Sequence, residues 1–161
     1  MISLWLKTNA KNVMTNKCTS NSAEETEKIG KEFAATLLAG DVVCLYGDLG
    51  AGKTTITKGI AKGLGITSPV TSPTFSLVRQ YKLRIMNKEL RMKTLYHIDL
   101  YRLEDQEQVK SIGIEEILSD PYGLVLIEWA EKLQGLLPKK RKEIQIKNLD
   151  NDSRSITFCI L

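Results

Sequence analysis

The chain has 161 residues, 42% hydrophobic and 26% charged, a length that suits one domain with a real core and is too short for a motor with appended domains. No apolar run approaches the roughly 20 residues of a bilayer span, and the three cysteines, Cys18, Cys44 and Cys159, are odd in number and far apart. These features argue against a helical membrane protein, a disulfide framework and a zinc site, and they favour a reducing, cytoplasmic setting. The formal net charge of +4 is mild, but Arg79, Lys82, Arg84, Lys88, Arg91 and Lys93 form one positive cluster and residues 139–142 another, which fits either solvated loops or contact with nucleic acid.

Residues 1–17 begin with a short apolar stretch, Met1 to Leu6, soon diluted by Lys7, Asn9, Lys11 and Asn12. The stretch is too short for a secretory core, so a disordered extension is expected, with Met14 as a conceivable second start. Residues 18–161 are expected to form a single domain. Ser22 stands three residues before Glu25 in a capping-box arrangement. It leads into Ile29, Phe33, Leu37 and Leu38 at helical spacing, which predicts a first helix ending near Gly40.

The next segment carries the most information. Residues 41–46 are an apolar run that reads as a buried strand, and Gly47-Asp48-Leu49-Gly50-Ala51-Gly52-Lys53-Thr54-Thr55 follows at once. Residues 54–64 then carry Ile56, Ile60, Ala61 and Leu64 at helical spacing before Gly65. Gly-x-x-x-x-Gly-Lys-Thr between a strand and a helix is the phosphate-binding P-loop signature. Glycines let successive N–H groups turn inward around phosphate oxygens, and the helix N-terminus adds its positive dipole end. Lys53 is expected to reach the β- and γ-phosphates and the Thr54 hydroxyl to bind Mg2+.

Ser68 to Thr74 is rich in prolines and hydroxyls and reads as a loop, and residues 75–81 alternate like a strand. Residues 92–99 read as a returning strand, which makes a hairpin around the basic segment 82–91. Short helices are expected over 104–109 and 114–118, a buried strand over 123–127, and a final hairpin from 143–147 and 154–160.

A P-loop also needs an acidic group at the end of a neighbouring strand, and Glu128 stands there after five apolar residues. Asp99 is a second candidate whose alternative is a capping role at the strand end. His97, the only histidine, is expected to be structural. Arg79 and Arg102 are expected in surface ion pairs, with a cis arginine finger as the alternative. Thr74 could sense a γ-phosphate as a switch-loop hydroxyl, and Trp129 could gate the site or simply fill the core.

Together the P-loop block, Ser72-Pro73-Thr74-Phe75-Ser76-Leu77-Val78, His97-Ile98-Asp99-Leu100-Tyr101-Arg102-Leu103 and Ile127-Glu128-Trp129 resemble the TsaE (YjeE) family over about residues 20–160. The resemblance implies a small P-loop ATPase that works with the TsaB and TsaD partners in making threonylcarbamoyladenosine in tRNAs reading codons that start with A. Such a protein does not transfer the threonylcarbamoyl group itself. The resemblance further implies that ATP favours docking on the TsaB–TsaD heterodimer and that hydrolysis resets the complex.

On the same ground Asp48 through Thr55 would hold the phosphates, Thr54 and Glu128 the Mg2+, and Lys53, Thr74, Asp99 and Glu128 would form the catalytic set. The base would lie near Ala23 and Ser153. Arg79-Gln80 and the basic hairpin over 79–93 depart from the family pattern, which suggests tRNA contact there, directly or within the complex. The alternatives are a small-molecule kinase on the same scaffold, for which no arginine-rich lid is visible, and a non-hydrolysing nucleotide switch. No guanine-reading Asn-Lys-x-Asp motif occurs, which favours ATP. The expected fold is a three-layer α/β P-loop domain with a mixed parallel and antiparallel sheet.

Overall fold

The computed structural model describes residues 14–83, 91–103 and 106–161, leaving aside the side chains of Gln106 and Gln134. Seven strands form one sheet: β1 (Met14–Ser20), β2 (Val42–Tyr46), β3 (Val78–Lys82), β4 (Thr94–Asp99), β5 (Gly123–Glu128), β6 (Lys142–Asn148) and β7 (Arg154–Ile160). Their order across the sheet is β1-β7-β6-β2-β5-β4-β3. The central strands β6, β2, β5 and β4 run parallel, while β3 at one edge and β7 and β1 at the other are antiparallel. The expected mixed sheet is present.

Alternation along β2 explains the layering. Val43 and Leu45 face helices α1 (Ala23–Ala34) and α2 (Lys53–Gly63), together with Phe33, Ile56 and Ile60. Val42 and Cys44 face the opposite side, where α3 (Gln106–Ser111), α4 (Ile114–Ser119) and a 3-10 helix over Ala130–Leu136 supply Val109, Ile114 and Leu133. Because β2 and β5 are covered on both faces, they read as continuous apolar runs. Each fully buried Ile or Leu contributes up to about 1.5–3 kcal/mol by leaving water.

Local signals explain the element ends. Ser22 caps α1 by accepting from the Glu25 N–H at 3.1 Å, whereas the Glu25 carboxylate accepts from the Asn21 N–H at 2.7 Å rather than closing the box on Ser22. The helix stops at Ala34, short of the expected Gly40, and the buried Leu37 packs from the following turns. Helix α2 begins at Lys53 behind Gly52, which holds a left-handed conformation at φ 109°.

Further expectations change. Residues 14–17, assigned to the extension, form the first half of β1, paired with β7 from Met14↔Ile160 to Ser20↔Arg154; the rest of that extension, 1–13, lies outside the described residues. Strand β1 is polar, so its backbone pairing has no hydrophobic signature. The strand expected over 75–81 starts only at Val78. Leu77 takes φ 60° and its N–H bonds the Pro73 carbonyl at 2.7 Å, so Phe75 to Leu77 turn instead of extending. Finally, a 3-10 helix over Ala130–Leu136 follows Trp129, where the sequence predicts no element. Of the basic hairpin, residues 84–90 lie outside the described residues, but its two strands pair antiparallel from Val78↔Ile98 to Lys82↔Thr94.

Candidate functional site

The parallel strands β2, β5 and β4 end side by side, and the chain leaves each of them carrying a polar group. The P-loop follows β2, Glu128 ends β5 and Asp99 ends β4; Asp99 and Glu128 are register partners. This is the carboxyl edge where open α/β sheets bind ligands. A cleft of about 250 Å³ lies there. Leu49, Gly50, Gly52, Lys53, Thr54 and Thr55 form one side, and Ser72, Thr74, Asp99, Tyr101, Glu128 and Trp129 the other.

The loop's conformation is set by its glycines. Gly47, Gly50 and Gly52 have φ values of 146°, 77° and 109°, and a Cβ on Gly47 would collide with the Ile146 carbonyl of β6. Asp48 lies in the loop and borders an adjoining cleft with Glu131 and Lys147, and the Ala51 side chain is fully buried in the core. Ala51 can therefore meet a phosphate only through its backbone.

Lys53 is buried and curls back on its own loop, donating to the carbonyls of Gly47 at 2.6 Å and Asp48 at 2.8 Å. Its ammonium also sits 3.9 Å from the centroid of the Trp129 ring. Burial holds its pKa below the ordinary lysine value, against the opposing pull of Glu128, Glu131, Asp99 and Asp48. Trp129 itself has φ 60°, a left-handed conformation that costs a residue with a Cβ on the order of 1–3 kcal/mol, and its ring packs 5.2 Å from that of Tyr101.

The two carboxylates have different partners. The Thr54 hydroxyl donates to Glu128 Oε2 at 2.9 Å, while His97 Nε2 lies 2.8 Å from Glu128 Oε1. Asp99 Oδ2 accepts from the Ser72 and Thr74 hydroxyls, the latter at 2.9 Å, and Oδ1 accepts from the Tyr101 N–H at 2.9 Å. Asp99 thus combines the strand-end capping role with a place in the cleft, and it ties the hydroxyl-rich loop to the sheet. Among the described residues no group of three or more His, Cys, Asp or Glu side chains could hold a metal unaided. Thr54 and Glu128 are oxygen donors that meet at the loop, the donor type Mg2+ takes when substrate phosphates and water complete its shell.

The sequence positions 20–156 match the family model described as threonylcarbamoyl adenosine biosynthesis protein TsaE. The chain belongs to this family. It is 45% identical over 135 residues to the tRNA threonylcarbamoyladenosine biosynthesis protein TsaE of Bacillus subtilis, covering 84% of this chain and 79% of that protein. The protein of the same name from Treponema pallidum is 40% identical over 141 residues, covering 88% and 98%. The fold resembles the crystal structure of Bacillus subtilis YdiB with a TM-score of 0.72 and 38% identity, over 92% of this chain and 86% of that one.

Other expected positions lie elsewhere. Ala23 opens α1 and lines a separate surface depression with Glu27 and Lys62, and the Ser153 hydroxyl bonds Asn21 Oδ1 at 3.1 Å. Neither lines the cleft, although the neighbouring Arg154 packs beside Gly52. Arg79 bonds the Thr71 hydroxyl and Arg102 stacks 4.2 Å over Phe75, and among the described residues neither forms the expected ion pair. Ser72 and Tyr101 were not singled out from sequence. Ser72 could have been found as a second hydroxyl two residues before Thr74, but Tyr101 only from the turn after Asp99. No helix of the described residues is long and apolar enough to cross a membrane.

Proposed function

We propose that this chain is a Mg2+-dependent ATPase of tRNA threonylcarbamoyladenosine biosynthesis, weak alone, that docks on a TsaB–TsaD heterodimer according to its nucleotide state and does not itself transfer the threonylcarbamoyl group. The observation that carries the reading is the bond from Thr54 to Glu128 inside the P-loop cleft, with Lys53 and Asp99 on either side. Thr54 and Glu128 would hold Mg2+, which neutralises phosphate charge during phosphoryl transfer. Lys53 leaves its loop carbonyls for the β- and γ-phosphates, backbone N–H groups from 48–55 cradle them, and Thr74, tethered to Asp99, senses the γ-phosphate. Ala23 and Ser153 do not line the cleft, so the base extends out of it past Arg154, which packs beside Gly52, toward them.

Partner docking is supported by the rim of the cleft. Phe75 is 85% exposed and Leu49 68% exposed, unusual for large apolar side chains, and both belong to loops that would respond to the phosphates. Arg79 and Lys82 are exposed on the edge strand β3, which suits tRNA, and a cytoplasmic location suits such a substrate.

The test is phosphate release by the purified chain, alone and with its own TsaB and TsaD, for wild type, Lys53→Ala and Glu128→Ala. Weak release that rises with the partners and is lost in both variants is expected. Release only in the presence of a small-molecule acceptor would replace the reading with a kinase, and nucleotide binding without release would replace it with a switch. For tRNA, the triple change Arg84→Glu, Lys88→Glu and Arg91→Glu should weaken tRNA-dependent activity and spare ATP binding.

A further inference from the structure

Glu128 is 2% exposed, and its two oxygens are divided between two partners. Oε2 receives the Thr54 hydroxyl and Oε1 lies on His97 Nε2. His97 is fully buried in β4, two residues before Asp99 and paired with Leu126 of β5. Its other ring nitrogen, Nδ1, is buried without a hydrogen-bond partner among the described residues. A polar ring placed in a core with a single polar contact is costly, because its second nitrogen goes unsatisfied, and such a group calls for an explanation.

For a neutral ring, the pairing favours one tautomer. A neutral imidazole carries one N–H, and with Nε2 as the donor to Glu128 the orphan Nδ1 is left with only a lone pair. The opposite tautomer would face the Nε2 lone pair against a carboxylate oxygen and bury an unpaired Nδ1–H. The bond occupies one of the two carboxylate oxygens, so the remaining oxygen points at Thr54.

We propose that His97 is a positioning residue for Glu128: the Nε2–H···Oε1 bond locks the carboxylate so that Oε2 alone is presented, beside the Thr54 hydroxyl, to the cation of a bound Mg·ATP. The proposal rests on the reading that Thr54 and Glu128 hold Mg2+. Outer partners of this kind typically tune metal affinity or activity by about 10–100-fold. Asp99, the register partner of Glu128, has its carboxylate engaged by Ser72, Thr74 and Tyr101, and among the described residues of β4 it is His97 whose side chain hydrogen-bonds the Glu128 carboxylate.

The test uses the full chain without a histidine tag. Binding of a fluorescent ATP analogue is measured in EDTA and across a Mg2+ titration for wild type, Glu128→Gln, His97→Leu and His97→Gln, with thermal midpoints in parallel. Glutamine can place an N–H near the position of Nε2. His97→Leu should raise the Mg2+ half-saturation about tenfold or more with affinity in EDTA unchanged, and His97→Gln should restore most of the loss. Because His97 is the only histidine of the chain, its ring nitrogens are also directly readable by NMR in the wild type. The Nε2–H tautomer is expected, with a shift on adding Mg·ATP that ATP in EDTA does not produce.

An Nδ1–H tautomer, or an unchanged Mg2+ half-saturation in His97→Leu while Glu128→Gln is impaired, would overturn the role of His97 alone. So would a loss in EDTA and Mg2+ alike that follows the thermal midpoint. A wild type whose nucleotide binding ignores Mg2+ would instead remove the underlying reading of Thr54 and Glu128, and the proposal with it. If His97→Leu does not fold, the tautomer and the glutamine variant still decide.

Discussion

The ammonium of Lys53 lies 3.9 Å from the centroid of the Trp129 ring while it donates to the carbonyls of Gly47 and Asp48. The cation proposed to meet a triphosphate is therefore held by its own loop and by an aromatic face, a contact worth about 0.5–2 kcal/mol. Nucleotide must draw Lys53 away from both. In a Trp5→Phe background Trp129 is the only tryptophan, so its emission should change on adding ATP. Lys53→Met removes the cation, and its nucleotide-free spectrum should resemble that of ATP-saturated protein. A spectrum matching nucleotide-free wild type would mean the cation does not sit on the ring in solution.

The same lysine makes binding depend on pH. Burial lowers its pKa below the ordinary value of 10.5, and a bound triphosphate, adding negative charge beside the ammonium, raises it again. ATP affinity should be level below the free-protein pKa and fall as pH rises through it, with proton uptake on binding in that alkaline window. For folding the sign is reversed. The folded chain binds fewer protons than the unfolded one between the lowered pKa and 10.5, so this group's contribution to stability rises with pH there. Calorimetry in buffers of different ionisation enthalpy reads the uptake directly, and heats independent of buffer would contradict it.

Asp99 is the anchor of the hydroxyl-rich loop. Asp99→Ala removes the acceptor shared by the Ser72 and Thr74 hydroxyls, which keep only their bond to each other, and that of the Tyr101 N–H, each lost bond being worth about 1–3 kcal/mol where water cannot replace it. The variant should unfold at lower denaturant and be cut faster by protease within residues 72–77. Asp99→Asn, which keeps an acceptor oxygen, should lose less. Equal protease rates for wild type and Asp99→Ala would show that the loop is held by other contacts.

Helices α1 and α2 touch backbone to backbone at Gly59, where an added Cβ would collide with the Glu27 carbonyl. Although alanine is the better helix former, Gly59→Ala should destabilise the chain by about 1–3 kcal/mol, because the helices must separate to admit the methyl. Gly50→Ala meets no atom within 4 Å, so any cost there comes from φ 77° alone. Denaturation midpoints of the two variants separate a packing penalty from a backbone one. A stabilised Gly59→Ala would show that the helix contact is looser.

Chemistry carried by near neighbours in the chain is legible without coordinates. The P-loop spacing, the Ser22 cap and the apolar runs of β2 and β5 depend on residues a few positions apart, and the strand-loop-helix unit at 42–63 stands where they predict. Features that depend on partners are not. The polar β1 exists because β7 offers it a backbone ladder, and the expected strand at Phe75 gives way because the loop's hydroxyls close on Asp99.

The sequence by itself determined that the chain carries the P-loop motif on an α/β scaffold and an acidic residue at the end of an apolar strand, since periodicity and motif are local properties. Only the tertiary structure decided that β5 lies between β2 and β4, so that Glu128 meets Thr54 on one side and His97 on the other across separations of 74 and 31 residues. Parallel pairing joins strands through long crossovers, and its register follows from how both faces of the sheet are buried rather than from any short stretch of residues.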